Sequence, residues 1–292
     1  MSTNSNEFEV RLTETEEERR QVRQLRYRCF CLENGAAATD EQKALGEEWD
    51  SKDEHAEYMA VFHNGVIVAT YRIINRANAK KMGGFYTESP DCGRDIRKVK
   101  RLRGNIVEMS RACVEMEYRD SAIAIRLLWV GLAKYALEHK VALVFGVASF
   151  VGTRPIDFAH AFSYLYYYHM APKYMQAPVI MDKLAPNIDR RLIKMDILPK
   201  THIDEKLAID EMPPILKGYL RLGAVVSDQL FISEEFNDID VFVMMKTRDV
   251  SRTYQKYFAG DPNAFDHLIV RPRLPQRLQI KLEKLFNRGS DS

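Results

Sequence analysis

The stretch from Ile106 to Arg126, IVEMSRACVEMEYRDSAIAIR, constrains the fold of this chain more than any other. A short apolar run around Glu108 reads as a strand, with Ser110 and Arg111 just behind the carboxylate. Arg119-Asp120-Ser121-Ala122-Ile123-Ala124 then opens a long helical pattern with small side chains in its first turn. A strand that passes through a small-residue turn into a helix leaves free backbone N–H groups where a phosphate can sit. A carboxylate one strand-length upstream can act on chemistry at the other end of whatever carries that phosphate. The geometry suits an acyl group held on a phosphopantetheine arm.

The surrounding pattern is that of a mixed α/β domain. Thr13-x-x-Glu16 reads as a capping box ahead of a charged helix in which Val22, Leu25, Arg26 and Cys29 recur at helical spacing, with Leu25 inward and an Arg-rich face outward. Residues 34–48 read as a long loop rich in Gly, Ala and acids. Tyr58–Phe62 and Val66–Ile74 form a hairpin around the Asn64-Gly65 step. A helix follows from about Asp120 to His139, then a buried strand over Val141–Ala148 and an aromatic helix from Asp157 to His169. After about residue 177 the pattern adds a helix near Pro213–Leu222 and strands near Ala224–Ile232 and Val241–Met245, which are expected to extend the same sheet.

The chain has 292 residues, an apolar fraction of 46% and a net charge of +2, so a sizeable core is available and no general attraction to anionic partners is expected, nucleic acid included. No run approaches the ~18 apolar residues of a membrane span, and Met1 to Glu7 are polar, which predicts a cytoplasmic protein. Cys29, Cys31, Cys92 and Cys113 form no Cys-x-x-Cys pair and fit free thiols. The seven histidines lack metal spacing, so no metal is expected.

Motif by motif, the chain resembles a known superfamily. Arg119-x-x-Ala122-x-Ala124 is similar to the pyrophosphate loop of the GNAT acyltransferases, with alanine where their first glycine stands. Leu25-Arg26-Tyr27-Arg28-Cys29-Phe30, Trp49-Asp50, Thr70-Tyr71-Arg72 and Glu108-x-Ser110-Arg111 resemble both the acyl-homoserine-lactone synthases and the ornithine-lipid N-acyltransferases. The latter alone are resembled at Gly83-Gly84-Phe85-Tyr86, Leu127-Leu128-Trp129-x-Gly131-Leu132, Leu216–Gly223 and Phe236-Asn237-x-x-Asp240-Val241-Phe242-Val243. The likeness covers roughly residues 20–257 and is specific as a set. It implies a GNAT-type α/β fold over residues 10–257: a mixed twisted sheet, helices on both faces and a splayed central strand pair. Residues 258–292 remain as a basic C-terminal extension.

The resemblance also implies roles. Glu108 would order the water that takes the proton from an attacking amine; the plain alternative is a salt bridge to Arg111 or Arg72. A backbone N–H near Glu108, Ser110 and Arg111 would hold the oxyanion. Arg26, Phe30, Trp49, Asp50, Asp53 and Arg72 form the acceptor-side set with Arg111, either contacting the acceptor or bracing one another. Relatives of the ornithine-lipid type place an acid and a His at Glu54 and His55, which leaves open whether Asp53 or Glu54 faces the pocket. Arg119, Ser121, Ala122 and Ala124 form the phosphate cradle, and alanine at 122 favours one phosphopantetheine phosphate over free CoA. Tyr164 and Tyr166 are candidates to protonate the departing thiolate, or else core residues. Arg94, Arg97, Lys98, Lys100, Arg101 and Arg103 are either a solvated face or a docking site for acyl carrier protein.

The implied function moves a long-chain, optionally 3-hydroxylated, fatty acyl group from acyl carrier protein to the α-amine of an amino acid, ornithine first. No tightly bound cofactor is expected, the donor being the carrier's acyl-phosphopantetheine. Acyl-homoserine-lactone synthesis, acylation of glycine or lysine, and a non-enzymatic membrane-surface adaptor are the alternatives. Leu278, Leu282, Leu285 and Phe286 share one face of a tail carrying six basic residues between Arg271 and Arg288. That tail reads as an amphipathic helix on an anionic membrane surface, or as a terminal helix packed on the domain.

Overall fold

The computed structural model describes residues 8–180 and 193–270. The basic tail from 271 onward lies outside them. Eight strands form one sheet: β1 (Phe8–Leu12), β2 (Glu57–His63), β3 (Val66–Asn75), β4 (Asn105–Val114), β5 (Val141–Val151), β6 (Ile193–Lys194), β7 (Val225–Ser233) and β8 (Asp238–Lys246). Their order is β1-β2-β3-β4-β5-β8-β7-β6. All neighbours are antiparallel except β4 and β5, which run parallel and therefore need a crossover helix. The helices are α1 (Glu16–Arg26), α2 (Asp40–Leu45), α3 (Arg76–Lys81), α4 (Arg97–Lys100), α5 (Ile123–Glu138), α6 (Ala159–Tyr168), α7 (Glu205–Glu211), α8 (Pro214–Arg221) and α9 (Arg252–Ala259). The α5 segment is that crossover.

Local chemistry explains the elements near the site. Asn64 and Gly65 take φ of 52° and 80°, the primed turn that a two-residue hairpin favours, and so join β2 to β3 as expected. The capping box of α1 lies two residues later than the sequence reading placed it. Thr13 still belongs to the sheet edge, its N–H donating to the Tyr58 carbonyl, whereas Thr15 caps the helix and Glu18 answers it. Residues 34–48 are not all loop: α2 forms inside them, capped by Thr39 and Gln42 and ended by Gly46 in the left-handed region.

The core lies on both faces of the sheet. Val22 and Leu25 of α1 cover one face with Tyr58, Ala60, Ile74 and Phe145; Leu128 and Ala136 of α5 cover the other with Val61, Ile73 and Val107. Phe258, Phe265 and Leu268 bury themselves with Ala133 of α5.

β4 and β5 pair only from Asn105/Val141 to Glu108/Phe145, although they are 10 and 11 residues long. Beyond that point they part. Gly146 stands at the fork, where a Cβ would lie 2.1 Å from the Met109 carbonyl oxygen. Gly146→Ala must therefore push the strands apart. It should cost about 1–3 kcal/mol in urea unfolding, with acyl transfer lost to a larger extent than stability.

Candidate active site

Three arginines and three carboxylates meet on the α1 face of the sheet. Arg26 Nε donates to Glu48 Oε2 at 2.5 Å and Nη1 to Asp53 Oδ1 at 2.8 Å. Arg72 of β3 reaches Asp50 at 2.6 Å, Asp53 at 3.0 Å and the Ser110 hydroxyl at 3.0 Å. Arg111 of β4 binds Asp50 at 3.0 Å and lies 3.4 Å from Glu48. The Tyr58 hydroxyl donates to Asp53 Oδ1. Arg26 and Arg72 are wholly buried, so Arg26 belongs to the inner side of α1 and not to its outward basic face. Burial alone would raise the Asp53 carboxyl, but Arg26 and Arg72 outweigh it and hold it well below the usual carboxylate range. Asp50 is lowered in the same way against burial, by Arg72 and Arg111.

The expected acceptor-side set is thus largely brought together. Glu48, which sequence reasoning did not single out, joins it. Asp53 points into the network, whereas Glu54 is exposed with its carboxylate 3.7 Å from His55. Trp49 is half-buried and offers its carbonyl to Gln42. Phe30 lies on the wall of the adjoining polar chamber.

Glu108 makes neither of the salt bridges considered for it. Its two oxygens accept the backbone N–H groups of Tyr86, at 2.6 Å, and Thr87, at 2.8 Å. It is fully buried, and burial raises its carboxyl to about 6, the two N–H groups and Arg72 opposing. Glu108 itself lines neither chamber; Tyr86, whose N–H it accepts, and Ser110 and Arg111 further along β4 are on the wall of a polar chamber. Arg111 has φ of 53° at a bulge where β4 slips against β3, and its guanidinium lies 4.6 Å from the Tyr86 ring and 4.4 Å from the Phe236 ring.

Two chambers flank the parting of β4 and β5. The polar one, with an empty volume of about 910 Å³ that includes open solvent, is walled by Arg111, Ser149, Asp238 and Asp240 among others. The second, about 830 Å³ counted the same way, is walled almost entirely by apolar side chains such as Met109, Trp129, Leu132 and Phe265. Val147 and Tyr219 belong to both walls. The Tyr219 hydroxyl is hydrogen-bonded to that of Tyr71, and burial keeps both phenols protonated. The expected tyrosines lie elsewhere: Tyr164 and Tyr166 of α6 pack on the cluster around Phe162 and Leu216 and line neither chamber.

At the cradle, Ala122 caps α5 with φ of 52° and no side-chain hydrogen bond of its own, while the Ile123 N–H donates to the Ser121 hydroxyl at 3.4 Å. Ser121 is exposed, whereas Ala124 is fully buried. Arg119 is engaged with Glu33 at 2.7 Å and with the Val114 carbonyl.

The basic cluster divides. Arg94 is buried, and burial lowers it to about 10. Its guanidinium donates to the carbonyls of Ala177, Gln229 and Asp240, so it clamps segments together and cannot be a docking residue. Arg97, Lys98, Lys100, Arg101 and Arg103 are exposed, but they precede β4, while the cradle follows it. Asn105 bonds to the carbonyl of His139 at the far end of α5. The 10-residue strand separates patch and cradle by roughly 30 Å.

A mixed sheet parted between two parallel strands that a crossover helix connects is that of an acyltransferase of GNAT type, and the Acetyltransferase (GNAT) domain family model matches residues 25–130. The L-ornithine N(alpha)-acyltransferase of Brucella abortus (strain 2308) is 33% identical over 267 residues, 88% of this chain and 91% of that protein. The L-ornithine N(alpha)-acyltransferase of Rhodobacter capsulatus is 30% identical over 258 residues, 86% of this chain and 94% of that one. This chain belongs to the L-ornithine N(alpha)-acyltransferase family. Among solved structures, the AHL synthase LasI aligns over 88% of this chain and 97% of its own, at 13% identity and a TM-score of 0.45.

Asp53→Asn should leave Arg26 and Arg72 short of a buried counter-charge and cost about 3–5 kcal/mol in urea unfolding at pH 7. Because the Asp53 carboxyl is depressed in the folded state, the wild-type advantage over this variant is present at neutral pH and shrinks as pH falls below about 4.

Proposed function

We propose that this protein transfers a long-chain fatty acyl group, 3-hydroxylated or plain, from acyl carrier protein to the α-amine of ornithine, giving a lyso-ornithine lipid. The observation that carries this reading is the junction at Val147 and Tyr219, where an apolar chamber meets a polar one across the strand parting. The acyl chain occupies the first and the amino acid the second, so the thioester carbonyl and the amine meet between them. The ornithine acceptor follows the family to which the chain belongs.

In this scheme the neutral amine attacks the carbonyl and the C–S bond breaks. Glu108, through an ordered water, takes the proton released from nitrogen. A backbone N–H in the Glu108–Arg111 stretch holds the oxyanion, since β4 has no strand partner on the β5 side beyond Glu108. The protonated Tyr219 at the junction donates to the departing thiolate. The arm's phosphate rests at the open N-terminus of α5, which puts the carrier protein at that end of the domain.

Mass spectrometry of reactions with ornithine and acyl-ACP should show Nα-acylornithine together with free carrier thiol; no product from ornithine with either acyl-ACP or acyl-CoA overturns the reading. Reversing Lys98, Lys100 and Arg101 should leave the KM for acyl-ACP unchanged, whereas Arg126→Glu in the first turn of α5 should raise it severalfold.

Glu108 acts as a base only when ionised, so kcat/KM should rise with pH through an apparent pKa near 6, the value burial gives it. Glu108→Gln should lower turnover by ~10²–10⁴ and erase that limb. A variant with the same limb would assign the titration to another group.

A further inference from the structure

Asp238 and Asp240 sit two residues apart on β8, on the face shared with Phe242, opposite Val151 and Ser149 of β5. Both are on the wall of the polar chamber. Asp240 is 5% exposed, and its Oδ1 accepts the Ser149 hydroxyl at 2.6 Å. Asp238 Oδ1 is shielded from solvent and has no hydrogen-bond partner among the described residues. A buried carboxylate oxygen left unpaired is costly, and two such carboxylates side by side repel each other.

The charged groups around them do not resolve this. Arg111, across the chamber, is engaged with Glu48 and Asp50 and held between two rings. Arg94 turns its two Nη groups to the carbonyls of Ala177, Gln229 and Asp240 and leaves its Nε without a hydrogen-bond partner among the described residues, and it makes no ion pair with either aspartate. Glu235 nearby adds further negative charge. Among the described residues neither aspartate is in an ion pair. The missing element is a compact cation with several donors.

We propose that Asp238 and Asp240 bind the side-chain ammonium of a dibasic amino-acid acceptor, and so select ornithine over acceptors without a terminal amine. The inference rests on the reading of the protein as an amino-acid N-acyltransferase. A primary ammonium carries three donors, which match Asp238 Oδ1, the Asp240 carboxylate and the free lone pair of Ser149. Ser149 lies two residues along β5 from Val147 at the junction, roughly 6.6 Å, which is the reach of a three-carbon side chain whose α-amine faces the thioester. Arg111, across the chamber, is the cation of that lining that the α-carboxylate would meet. Glycine cannot reach the pair, and lysine overreaches by one methylene.

The test compares kcat/KM for ornithine and for norvaline, which has the same skeleton without the δ-amine, in the wild type, Asp238→Asn and the double variant Asp238→Asn/Asp240→Asn. Wild type should prefer ornithine by roughly a hundredfold or more. The double variant should lose most of that preference, chiefly through a raised KM for ornithine, with circular dichroism and thermal melting reporting on its fold. Asp238→Asn alone, which removes no Oδ1 contact within the chain, should lose part of it and keeps the test open if the double variant does not fold. Equal wild-type use of norvaline, or an undiminished preference in the folded variants, overturns the subsite while leaving Nα-acylation of ornithine standing. A wild type that acylates other amines but not ornithine brings down the ornithine reading and the subsite together.

Discussion

The parting of β4 from β5 is the constraint on which the site depends. Each strand is held firmly on its outer side, β4 by β3 and β5 by β8 along Leu143–Val151, so neither can drift across to close the gap. Unpaired backbone groups inside a protein must be met by water or by a ligand. Here they line a fork whose closed end is tight because Gly146 has no side chain to hold the Met109 carbonyl away. Val147 and Tyr219, which belong to the walls of both chambers, mark where the two approach each other.

The second constraint is the buried ion network. Taking six charges out of water is expensive, and well-packed apolar side chains would stabilise the fold as well. What apolar side chains would not do is orient Arg111. The network ties α1, the 47–53 segment, β3 and β4 to one another through shared carboxylates, and each carboxylate is already answered by an arginine. Asp50 and Asp53 therefore serve first as braces. Arg111 is the arginine of the three that stands on the chamber wall, at the bulge of β4, with φ of 53°.

Local signals in the sequence were legible where they depend on neighbours in the chain. The Asn64-Gly65 hairpin, the strand bearing Glu108, the helix after Ala122 and the strand after Val141 all follow from turn chemistry and periodicity. Errors appear where a residue's surroundings are set by distant pairing. Arg94 reads as a surface charge in the sequence, because nothing near it in the chain reveals the carbonyls of Ala177, β7 and β8 that it meets. The basic cluster looked close to the cradle, yet a full strand lies between them. Tyr164 and Tyr166 were nominated and Tyr219 was not, since only the α8 packing brings Tyr219 to the junction. Asp238 and Asp240 were within reach of the argument applied to Glu108, namely that an acid on an apolar strand needs a partner. Their role depends on β8 entering the sheet beside β5 and ahead of β7, a long-range arrangement that no local pattern announces.

The fork also imposes an order on the proposed reaction. β4 and β5 are joined from Asn105 to Glu108 and diverge toward Val114 and Val151, so the gap is closed at one end and open at the other. The N-terminus of α5, where the arm's phosphate would rest, follows the open end of β4. An acyl chain already joined to an amino acid threads the gap, with its tail on one face of the sheet and its polar head on the other. Under that proposal such a molecule would leave without unpairing strands only by sliding toward the open end, which the carrier's arm would occupy. The free carrier thiol would then depart before the acylated product, and protonation of the leaving sulfur by Tyr219 would help it go, since a neutral thiol has less to hold it in the fork than a thiolate facing backbone N–H groups.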